Sequence, residues 1–160
     1  MSAKRTRWLT ACLLIAYSAI LIKFVVFKAI PTIRMRHFRL RIAGSHTGPA
    51  NLIPFKTIVP QLLGQGNHLI GMVNLIGNVI PFIPIGLLTP LVFRSVSWRK
   101  ALVLGIFTGL TFEVLEAIFR VGIFDVDDII LNASGVMVGY AAFAMVKPRP
   151  TSVHASASGL

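Results

Sequence analysis

The chain has 160 residues, 55% of them hydrophobic and only 13% charged, with a net charge of +11. Its mean hydropathy is +0.78. Soluble domains carry roughly 25% charged residues, so this composition excludes an ordinary soluble enzyme and points to one integral membrane domain. The basic excess lies beside apolar runs, which makes the lipid bilayer its partner rather than nucleic acid, and no nucleic-acid-recognition motif accompanies it.

Cys12 is the single cysteine, which excludes an internal disulfide and a thiolate metal cluster. The Leu9–Cys12 tetrapeptide imitates a lipoprotein cleavage box, but its apolar region follows the box instead of preceding it. The chain therefore reads as retaining its first span, Trp8 to about Ile30, behind Lys4, Arg5 and Arg7. Pro31 ends that helix. Arg34 to Arg41 alternates basic with mostly apolar residues, the period of a short strand or an extended interfacial segment. Gly44 to Gly48 reads as a turn, and Gly64, Gly66 and Asn67 break up a stretch lying on or dipping into the membrane surface.

The second span, about Val73 to Phe93, contains Pro81, Pro84 and Pro90. Pro81 and Pro84 lack amide donors, which predicts a kink and released carbonyls near Gly77 and Ile80. Asn74 and Asn78, four apart, share a face expected to point into the bundle. The third span, Ala101 to about Phe119, carries Gly105, Gly109, Glu113, Glu116 and Arg120 in one stripe. The fourth, about Asp125 to Val146, carries Asp125, Asp128, Asn132, Gly135 and Gly139 in another. A short connection makes these two helices antiparallel neighbours, so the glycine halves are expected to pack together and the acidic ends to meet at one membrane face. The expected fold is all-α, an integral membrane bundle of four transmembrane helices over residues 1–147. A disordered tail over 148–160 follows Pro148-Arg149-Pro150.

All five acidic residues, Glu113, Glu116, Asp125, Asp127 and Asp128, fall within sixteen positions. Ionisable groups at membrane spans are costly and mark sites. One reading is structural: Asp125 caps the fourth helix, Asp127 and Asp128 sit in its first turn, Glu116 pairs with Arg120, and Asn132 bonds Asn78. A second is a divalent cation on Asp125, Asp127 and Asp128, since hard cations want oxygen ligands; it would serve a membrane enzyme acting on a lipid-linked envelope substrate. A third is an outward-facing pocket that binds a cationic or peptide ligand, or gates, without covalent chemistry. Walker, dinucleotide, HExxH and GxSxG motifs are absent, and His37, His46, His68 and His154 are dispersed.

Asn51-Leu-Ile-Pro54-Phe55, then Asn74-Leu-Ile-Gly77-Asn78, Phe82-Ile-Pro84-Ile-Gly86 and Pro90, resembles the VanZ-like family of bacterial membrane proteins. Gly122-Ile-Phe124-Asp125-Val-Asp127-Asp128 is similar to that family's GxFDxDD segment, and Asn132, Gly135, Gly139 and Tyr140 follow in order. The resemblance covers about residues 50–145. It implies a multi-span bundle in the bacterial plasma membrane, with the Asn51 and Asp125 loops outside and both termini cytoplasmic. It also implies an envelope role with low-level glycopeptide (teicoplanin) resistance, and an envelope precursor or a glycopeptide as partner. Glu116 stands where the family usually has an amide. Charge alone leaves orientation open, with eight basic residues on the side of the termini against seven on the other.

Overall fold

A computed structural model describes residues 3–26, 34–35, 38–39, 49–119 and 122–146. The elements in order are α1 (Ala3–Val26), β1 (Arg34–Met35), β2 (Phe38–Arg39), α2 (Ile58–Leu62), α3 (His68–Val79), α4 (Ile83–Val92), α5 (Trp98–Ile118) and α6 (Val126–Val146). Among the described residues, four stretches are long and apolar enough to cross a membrane: Lys4–Phe24, His68–Val92, Trp98–Ile118 and Val126–Val146. The protein is an all-α bundle of four membrane-spanning helices. Within the basic segment, the described residues Arg34–Met35 and Phe38–Arg39 form a minimal antiparallel ladder, with Arg34 opposite Arg39. The Gly44–Gly48 turn and the tail over 148–160 lie outside the described residues.

The first span starts earlier than expected, because helix already runs through Lys4, Arg5 and Arg7. The second also starts earlier, at His68, where the Asn67 side chain caps it by accepting the amides of Leu69 at 3.1 Å and Ile70 at 3.2 Å. Gly64 and Gly66 take left-handed φ of 67° and 87° just before that cap, a conformation cheap only for glycine. The prolines act as expected, with a 3-10 turn over Ile80–Phe82 separating α3 from α4. The Ile80 carbonyl is taken up locally by the Ile83 amide. The Pro81 carbonyl accepts the Tyr17 hydroxyl of α1 at 2.7 Å, so the first helix is tied to the break in the second.

Leu21, Phe82, Ile85, Phe112 and Val136 form the main core, and Phe82 meets Phe112 edge to face with centroids 5.1 Å apart. The glycine stripes correct one expectation. Gly105 and Gly109 of α5 do lie against α6, at Ala133 and Ile129. Gly135 and Gly139 face away from α5: a Cβ there would collide with the carbonyls of Val79 and Ile83. Gly86 of α4 is equally tight on the Val136 carbonyl. Helix α6 is therefore clasped between α5 on one side and the α3–α4 span on the other. Its own glycines serve the second contact, because residues 128, 132, 135 and 139 share a face that 129 and 133 do not.

Gly86→Ala and Gly139→Ala should each cost about 1–3 kcal/mol by overpacking backbone against backbone. Gly77→Ala should be tolerated, since nothing lies within 4 Å of its added methyl. Thermal unfolding of the detergent-purified variants checks this; equal losses at all three positions would refute the packing described.

Candidate functional site

The helix ends set the site. Antiparallel α5 and α6 bring the C-terminal turn of one and the N-terminal turn of the other to the same end of the bundle, and the segment 51–58 docks there. Asn51 and Asp125 form a parallel bridge: the Asn51 amide donates to the Phe124 carbonyl at 2.9 Å, and the Val126 amide to the Asn51 carbonyl at 3.0 Å. The Asn51 side-chain amide also donates to Asp125 Oδ1 at 2.7 Å.

Asp125 caps α6, its Oδ1 accepting the Asp127 amide at 2.8 Å. Its own amide donates to Glu113 Oε2, also at 2.8 Å, which fastens the end of α5 to the start of α6. Glu113 is only 2% exposed.

Asp127 is fully buried and works away from its own helix. Its Oδ1 accepts the Phe55 amide. Its Oδ2 accepts the Thr57 amide and the Thr57 hydroxyl, both at 2.7 Å, and the Ile58 amide at 3.2 Å. One carboxylate thus caps α2 from about seventy positions away and holds Phe55 at φ 67°, a left-handed conformation unusual for a non-glycine residue. A carboxylate offers about two lone-pair sites on each oxygen; three donors crowd Oδ2 and one occupies Oδ1. Of the three candidate cation ligands, Asp127 is therefore committed to amides and a hydroxyl. Among the described residues, no three His, Cys, Asp or Glu side chains converge as metal ligands.

Asp128 accepts the Asn78 side-chain amide across the α3–α6 contact. No hydrogen bond joins Asn78 to the Asn132 oxygen, contrary to the expected pair. Asn132, one turn deeper than Asp128 and 4% exposed, has no donor for its Oδ1 among the described residues. Buried acceptors are nearly always satisfied by protein, water or a bound group. Asn74 does not point into the bundle as expected: it is exposed, and its amide donates to Gln61 Oε1 of α2 at 3.3 Å. Glu116 packs against Gly122, where a methyl would strike its carboxylate. Arg120 lies outside the described residues.

Nothing in the sequence marks Thr57 or the amides of Phe55, Thr57 and Ile58 as part of this end. Local sequence around Thr57 has no capping box, because the cap comes from another helix.

A polytopic membrane protein of four helices, with one polar end locked by its own acidic residues, is the class this fold and site define. The chain belongs to the VanZ/LLP1 family, whose profile matches residues 14–147. It is similar to "Protein VanZ" of Enterococcus faecium, with 30% identity over 133 residues, covering 83% of this chain and 72% of that protein. No solved structure matches it.

Asp127→Ala would strand the donors at Phe55, Thr57 and Ile58 and should cost on the order of 3 kcal/mol. The expected result is faster proteolysis within residues 51–58 and a lowered unfolding midpoint. Asp127→Asn should lose almost as much, since its NH2 group would face a donor. An unchanged cleavage rate in Asp127→Ala would show that the carboxylate does not hold the segment.

Proposed function

We propose that the chain serves in the bacterial envelope by binding rather than by covalent chemistry. The acidic end faces outward, both termini are cytoplasmic, and low-level resistance to a glycopeptide of the teicoplanin kind is the resulting phenotype. Family membership supports the envelope setting. The observation that carries the binding role is the acceptor at Asn132: a buried amide oxygen with no donor among the described residues, one turn beneath the Asn78–Asp128 bond. A ligand rich in N–H or O–H groups, such as a peptide or an aminated sugar, is the chemical class that would satisfy it. The carboxylates of Asp125 and Asp127 do not compete for that ligand, because they are bound within the protein. They make the end rigid, and rigidity lowers the ordering cost of binding.

Growth under teicoplanin compares wild type, Asp128→Asn, Asn132→Leu and an empty vector at matched abundance. Wild type should extend growth modestly beyond the vector, and both variants should lose that gain. If wild type and vector grow alike, the resistance reading fails. If Asn132→Leu keeps the full gain, the binding role fails while the phenotype stands.

Orientation has its own test. In a Cys12→Ser background, single cysteines at Phe55 and Phe124 should both react with an impermeant thiol reagent on intact cells. Protection of both until lysis would reverse the orientation.

A further inference from the structure

The end of the bundle opposite the acidic residues carries charge of one sign. Lys4, Arg5, Arg7, Arg94, Arg99 and Lys100 are all exposed there, at the start of α1, after α4 and at the start of α5. Every Asp and Glu of the chain lies between Glu113 and Asp128. The 21 residues of α5 separate the two ends by about 30 Å at 1.5 Å per residue. No Asp or Glu of the chain therefore reaches these cations.

Two of them share a concavity. The first turns of α1 and the end of α4 flank an open cleft of about 320 Å³ lined by Thr6, Arg7, Thr10, Leu91 and Arg94. The lining is graded with depth. Arg7 and Arg94 stand toward the helix ends, whereas Thr10 and Leu91 lie about one turn further into the span along α1 and α4. The Thr10 hydroxyl is committed to the Thr6 carbonyl at 2.9 Å, so the guanidinium groups are the side-chain donors that remain strongest. A guanidinium presents a planar fork that matches two phosphate oxygens at once.

We propose that Arg7 and Arg94 clamp the phosphate of an anionic phospholipid headgroup in this cleft, with the lipid's apolar part running inward past Leu91. The same fork would accept free phosphate. The depth grading favours the lipid, because inorganic phosphate has nothing to place against Leu91 and Thr10. The bound lipid would join α1 to α4, where the Tyr17–Pro81 bond makes the corresponding tie deeper in the membrane. This assignment is independent of the role proposed for the acidic end.

Full-length protein is reconstituted into nanodiscs of phosphatidylcholine alone or with phosphatidylglycerol, and its thermal unfolding midpoint is measured. Wild type should unfold several degrees higher with phosphatidylglycerol. The Arg7→Gln/Arg94→Gln pair should lose most of that gain. The Lys4→Gln/Arg99→Gln pair removes the same charge from the same end and should keep it. Inorganic phosphate added to phosphatidylcholine nanodiscs should not reproduce it. An equal loss in both charge-matched pairs, or no gain in wild type, overturns the site; a full gain from inorganic phosphate overturns the lipid. Should the glutamine pair fail to fold, Arg7→Lys/Arg94→Lys replaces it. There, loss of most of the gain supports the fork, and a full gain overturns it.

Discussion

The buried carboxylate of Asp127 is the constraint on which the polar end depends. Four donors from residues 55–58 converge on it, and hydrogen bonds to a charged acceptor contribute roughly 1.5–3 kcal/mol each when well formed. That is enough to offset a left-handed Phe55, whose backbone costs on the order of 1–3 kcal/mol. Asp125 adds a second pin and Glu113 a third, so the docked segment, the end of α5 and the start of α6 are bonded to one another. Beneath them Ile58, Leu75 and Leu131 give the segment a small apolar seat. Polar pins above and apolar packing below make this end rigid without a metal or a disulfide having to supply the rigidity.

Below that end the fold is governed by how closely backbones approach. Lipid offers apolar side chains no less than another helix does, so packing quality and hydrogen bonds decide association in the membrane. Helix α6 uses two faces at once. Ile129 and Ala133 meet the glycines of α5, while Gly135 and Gly139 admit the carbonyls of Val79 and Ile83. The proline break at Ile80–Phe82 belongs to the second contact, since it sets where α3 hands over to α4 along α6. Asp128 and Asn78 lie on that same contact, so the packing that brings the span close also joins its polar pair.

Much of this was legible in the residues themselves. Apolar length defined four spans, the prolines placed the break, and spacing in α6 put Asp128, Asn132, Gly135 and Gly139 on one face. What periodicity does not encode is which neighbour a face meets, and the short α5–α6 connection suggested the wrong partner for the α6 glycines. Asn74 shared a face with Asn78 but stands near the helix start, beside Gln61 instead of inside the bundle. The role of Asp127 had no local signature, because a side chain in the first turn of a helix reads as dipole compensation until the segment it caps is in view. The unpartnered oxygen of Asn132 was equally hidden, since spacing offered Asn78 as a mate and could not show that its amide turns to Asp128.

The separation between Asp127 and its donors has a consequence for assembly in the cell. The Phe55 amide precedes its acceptor by 72 positions, with two whole spans between them. During synthesis the segment must therefore wait, its amides hydrated at the bilayer surface, while those spans enter the membrane. Insertion of the last helix then delivers the anchor, and closure of the polar end coincides with completion of the bundle. A truncated product lacking that helix would keep the segment open, which is a feature quality-control proteases could recognise.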